Sequence, residues 1–174
     1  MDLQTHATSA LAATVAAVAL NRAIEWQKSA AVSRAQLRGI LLELAHAEHC
    51  AERYFDSAAA PRFAALVYRI ATQYLGSSIE ILAANGALRR TEAEQLYRFY
   101  IEADETNRTL DALAVIAGTS TAGRGEATMI VTLRQIGTHD LARERFERLR
   151  RELPPVRAAA EAALARVAWF EHQD

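Results

Sequence analysis

Glu43, His46, His49 and Cys50 fall within eight residues of one another, and their types and spacing come closest to chemistry in this chain. Glu43-Leu-Ala-His46 has the Glu-x-x-His spacing with which di-iron helical bundles present two ligands to a metal. His49 stands one helical step further on. Such a centre needs a second Glu-x-x-His and two more carboxylates on facing helices, and the chain carries no second copy. At about 100° per residue, with Leu37 at zero, the local apolar stripe centres near 0°, His46 falls near 180° and His49 near 120°. Glu43, His46 and His49 are therefore the metal candidates, and the expectation is solvated histidines with no metal or other cofactor.

His46 and Cys50 are four apart and share a helix face. A histidine can activate a neighbouring thiol. That chemistry also needs a cleft and a third, orienting group, which the sequence does not supply, so a partly exposed structural cysteine is expected. Glu48 falls near 20° on the apolar stripe, between Leu44 and Phe55, and Asn107 sits within the stripe of its own segment. A buried carboxylate must find a partner or shift its pKa. Glu48 and Asn107 are expected to be buried polar groups that fix register, Glu48 with an arginine as partner.

Two further motifs dissolve on inspection. Gly118-Thr-Ser-Thr-Ala-Gly-Arg-Gly125 is glycine-rich, but it lacks the Gly-Lys-[Ser/Thr] ending of a phosphate loop and no strand precedes it. Arg143, Arg145, Arg148, Arg150 and Arg151 are answered by Glu144, Glu147 and Glu152, the pattern of a solvated helix face. Anionic lipid headgroups would be its natural partner if the chain met a membrane. The net charge of −1 excludes a dedicated nucleic-acid binder, which carries a basic excess.

The elements that must position these residues are helical. Of 174 residues, 38 are Ala, against 7 Gly and 3 Pro, a composition that favours helix throughout. The lone Cys50 forms no intramolecular disulfide and fits a reducing compartment.

Between Leu3 and Asp56 there is no Pro and only one Gly, Gly39, so the stretch reads as one helix of roughly 80 Å at about 1.5 Å per residue. That length exceeds the width of a domain of this size, so the N-terminal part must project, bend or pair with another chain. Residues 3–20 carry no charge if His6 is neutral. They fall short of the roughly 20 apolar residues of a membrane span and are rich in Ala. A basic flank follows, with Arg22, Lys28, Arg34 and Arg38 against Glu25 alone, the arrangement that holds a flank in the cytoplasm.

Further along, Leu37, Ile40, Leu41, Leu44 and Ala45 form one stripe. Pro61 is placed to begin a helix carrying Phe63, Leu66, Val67, Ile70 and Tyr74. Gly76-Ser77-Ser78 reads as a break before a short helix ending near Gly86. Thr91-Glu92-Ala93-Glu94 resembles a capping box, opening a helix with the stripe Leu96, Phe99, Tyr100, Ala103, Asn107, Leu110 and Ala114. Another helix is expected from Glu126 to Ile136, ended by Gly137. Thr138 then caps the last helix, where Ala142, Phe146, Leu149, Leu153, Val156, Ala160, Ala163, Val167 and Phe170 hold a heptad seam. Pro154-Pro155 falls inside that seam, so a kinked helix is expected.

The sequence thus predicts an all-α protein: an antiparallel four- to five-helix bundle with a long N-terminal helix and a Pro-kinked C-terminal heptad helix. It divides into an Ala-rich N-terminal helix, 1–27, expected as a single membrane anchor, and a bundle over 28–174. The expected function is a non-enzymatic interaction or accessory module, tethered to the inner membrane through residues 3–20 with its bundle in the cytoplasm. Trp26, Trp169 and Phe170 would make the contacts with a protein partner. The alternatives are a soluble cytoplasmic homo-oligomer with residues 7–20 packed between chains, and a metal-binding bundle enzyme on Glu43, His46 and His49.

Overall fold

A computed structural model describes the backbone of residues 3–57, 68–119 and 126–169, with side chains over 16–56, 68–115 and 137–168. The described residues form four α-helices: α1 (Leu3–Ser57), α2 (Gln73–Ala84), α3 (Arg90–Thr119) and α4 (Glu126–Trp169). They contain no strand. The long helices α1, α3 and α4 pack on one another through α4, and the short α2 lies against α1 and α3.

As its uninterrupted helical composition requires, α1 is a single helix of 55 residues. Its buried face runs from Ser33 through Leu37, Ile40, Leu44, Ala47 and Ala51 to Tyr54. Ahead of this face the helix leaves the bundle, and every side chain from Ala16 to Lys28 is exposed. Among the described residues, no helix is long and apolar enough to cross a membrane. The expected anchor over residues 3–20 falls largely on residues 3–15, whose side chains lie outside the described residues.

Three expected helix boundaries are corrected. The helix expected from Pro61 through Tyr74 fails over its described part: Arg69–Thr72 is not helical, α2 opens at Gln73, and residues 58–67 lie outside the described residues. Gly76-Ser77-Ser78 is no break but lies inside α2. Its glycine serves packing, since a Cβ at Gly76 would stand 3.1 Å from the Tyr100 ring. Gly137 does not end a helix, and α4 runs through it for 44 residues. Among the described glycines only Gly86 takes a positive φ, 71°, the conformation by which glycine ends a helix. There Ala87 N–H donates to the Leu82 carbonyl at 2.9 Å and Gly86 N–H to Ala83 at 3.1 Å, a Schellman ending for α2.

The heptad residues of α4 from Ala142 to Ala163 are all buried in the chain's own core, against α1 and α3. Pro154 and Pro155 lie on the exposed side of the uninterrupted helix, between the buried Leu153 and Val156. Val167 is half-buried at the end of the seam, and Phe170 lies outside the described residues. So does the expected loop, apart from Gly118 and Thr119, which belong to the end of α3.

Candidate functional site

The residues with chemical potential converge on one non-helical strap, residues 69–72, and on the first turn of α2 that follows it. Glu43 on α1 is 6% exposed, and its two carboxylate oxygens accept the N–H groups of Tyr74 and Leu75, each at 2.8 Å. These are the second and third residues of α2, whose N–H groups have no partner inside the helix. Thr72 occupies the N-cap position and makes no side-chain cap. Glu43 takes over that task from a neighbouring helix, with its negative charge at the positive end of the α2 dipole.

One turn further along α1, His46 Nδ1 accepts the Ala71 N–H at 3.4 Å. Cys50 Sγ lies 3.7 Å from either ring nitrogen of His46 and donates to the Arg69 carbonyl at 3.8 Å. From α3, the buried Asn107 clasps Ile70 twice. Its Oδ1 accepts the Ile70 N–H at 2.8 Å and its Nδ2 donates to the Ile70 carbonyl at 2.9 Å. Arg69 pairs with Asp111 at 2.9 Å on the outside. The strap is stitched peptide by peptide to α1 and α3.

This geometry answers the metal and thiol readings. Glu43 and His46 address different peptide groups of the strap, and His49 is exposed. Among the described residues no group of three or more His, Cys, Asp or Glu is placed to hold a metal ion. Burial pushes the Cys50 thiol up, with Arg53 pulling weakly the other way. A raised thiol stays protonated and is the reverse of an activated nucleophile.

The other polar residues join α4 to its neighbours. Glu48 stands at the edge of the stripe rather than within it, its side chain 44% exposed, and pairs with Arg157 at 2.7 Å. Glu102 and Glu92 are both buried; the sequence marks Glu92 only as part of a capping-box pattern and gives no sign of Glu102's burial. Glu102 accepts from Arg145 at 3.0 Å and Arg148 at 3.2 Å, so the basic run is partly consumed between helices. Arg150 lies over the Phe55 ring at 5.3 Å. Glu92 accepts the Arg89 N–H at 2.8 Å and receives Arg166 at 2.7 Å. It is Glu92, not Glu94, that caps α3, because the helix begins at Arg90. Burial alone would raise the Glu92 carboxyl, but the Arg166 guanidinium and the Arg89 N–H outweigh it and hold the group below its ordinary value of 4.5.

At the opposite end of α1's packed segment, Trp26, Ser29, Ala30 and Ser33 meet Asn85, Ala87 and Val167 around a cleft of about 100 Å³. Trp26 is 48% exposed. Trp169 is the last residue of α4, two positions beyond Val167; its side chain and Phe170 lie outside the described residues. No protein-family model matches this chain, and neither a curated protein nor a solved structure is similar to it.

Proposed function

We propose that this protein is a non-enzymatic interaction module in which the N-terminal arm of α1 is the binding element and the bundle is its rigid base. The observation that carries the reading is the exposure of Val18 (54%), Leu20 (63%) and Ile24 (41%) on the stretch of α1 ahead of its buried face. A helix with apolar side chains and no core to bury them is stabilised by a partner surface. The polar cluster around the strap supports the same reading from the other side. Its carboxylate, imidazole, thiol and amide are all spent on backbone groups of residues 69–75, which is structural work. Helix pairing makes use of the side chains that α1 leaves exposed ahead of its buried face.

The test separates arm from base. A chain beginning at Ser29 is expected to keep the melting temperature of the full-length protein, read by circular dichroism, because the continuous core begins at Ser33. It is expected to lose all association, read by sedimentation. A truncated chain that aggregates or melts lower would show that residues 1–28 belong to the core, and the reading would fall.

A further inference from the structure

We infer that the outward face of the arm lies in the groove between α2 and α3 of a second copy of this chain, each copy lending its arm to the other. The inference rests on the arm being the binding element, and it adds the partner and the surface that receives it.

The two sides of the arm have different tasks. Trp26 stands seven residues before Ser33, on the helix row that continues through Ile40, Ala47 and Tyr54 in the core. It therefore turns to its own chain, where it lines the cleft with Asn85, Ala87 and Val167. Leu20, Ile24 and Lys28, four apart, form a row on the opposite side of the helix, and all three are exposed. Lys28 has no partner among the described residues.

The same chain carries a surface that fits this row. Between them α2 and α3 leave a groove of about 430 Å³, floored by Ile79, Leu88 and Ala93 and edged by the exposed Ala83 and Tyr97. Two carboxylates stand on its rim. Glu94 is paired with Arg90 at 2.9 Å, and Glu80 has no partner among the described residues. An apolar row that ends in a cation thus matches an apolar groove with a spare anion on its rim. The two cannot meet within one chain, because α1 has no proline and no glycine before Gly39 and its outward row points away from the bundle. A second copy brings them together. The arm leaves the bundle at the end where the groove opens: Ala87 lines the cleft beside Trp26, and the next residue, Leu88, lines the groove. Two copies set end to end about a twofold axis lay each arm along the other's groove. Lys28 then meets Glu80 near the mouth, and Ile24 and Leu20 reach Ala93 and Tyr97 beyond it.

Sedimentation equilibrium of the full chain is the first test, and a concentration-dependent species of twice the 19.1 kDa chain mass is expected. Leu20→Glu with Ile24→Glu on the arm, or Ala83→Glu with Tyr97→Glu in the groove, should each raise the dissociation constant about tenfold or more. All four residues are exposed, so the melting temperature should not move. Mixing the arm variant with the groove variant should restore part of the association, since one intact arm then meets one intact groove. Lys28→Glu should weaken the dimer about threefold, and Glu80→Lys in the same chain should restore it. A groove variant that dimerises like the parent overturns the groove as the receiving surface and leaves the arm as the binding element. A chain monomeric at every concentration overturns the second copy as occupant. An arm variant that dimerises like the parent overturns both the inference and the reading on which it rests.

Discussion

Asn107 gives both ends of its amide to one peptide, Ile70, and the arrangement has a measurable cost of removal. Asn107→Ala would leave the buried N–H and carbonyl of Ile70 without partners, and about 2–3 kcal/mol of stability should be lost in urea unfolding. Faster hydrogen exchange at Ile70 would mark the site of the loss. Tyr54 makes a second prediction. Its hydroxyl donates to the His139 carbonyl at 3.2 Å, and its ring stacks on Phe146 at 4.4 Å. Burial, opposed by Arg143 and reinforced by Asp140 and Tyr68, pushes the phenol from 10.0 up to about 12. The folded state therefore holds this proton more tightly than the unfolded chain does. The stabilisation is complete below pH 10 and is lost as pH rises from about 10 to about 12. Tyr54→Phe should remove that alkaline limb from the unfolding free energy, measured against pH. The sequence showed Asn107 within an apolar stripe, and so showed its burial. Its partner was illegible because Ile70 fits a helical stripe running to Tyr74, which masks the non-helical course of residues 69–72. Glu43 was misjudged for a related reason: a wheel drawn on one helix does not see the α2 terminus that covers its side.

Among the elements, the contact of α1 with α2 turns on Gly39. A glycine inside a helix ordinarily costs about 1 kcal/mol relative to alanine. Here a Cβ would come within 2.5–2.7 Å of the Tyr74 ring. Gly39→Ala should therefore lower the melting temperature despite its better helix propensity, and Gly39→Ala with Tyr74→Ala should recover much of the loss. A single variant more stable than the parent would show that the ring moves aside freely. The same logic explains which breaks the sequence misplaced. Gly76 and Gly137 look like punctuation, but glycine ends a helix only where the chain adopts positive φ, and that occurs at Gly86. The long helices were legible from composition, because 55 residues with one glycine and no proline leave little else to form. The α4 seam was legible through Pro154-Pro155 because its phase survives them, and both prolines face outward.

For the molecule as a whole, α4 is the organiser. Its apolar seam meets α1 and α3, and its arginines reach Glu48 on α1 and Glu92 and Glu102 on α3. The all-helical class was readable from the sequence. The pairing of those charges was not, since it joins residues up to 109 positions apart. The strap has a consequence for folding order. Helices α1, α3 and α4 bury apolar faces against each other, whereas residues 69–72 are held by hydrogen bonds to side chains already fixed on α1 and α3. Those partners must be in place before the strap can be caught. The segment from Tyr68 through α2 also buries Tyr68, Ile70, Leu75 and Leu82 in the shared core. Opening it would expose apolar surface as well as break the clasp, so it closes the core rather than lying on it as a flap.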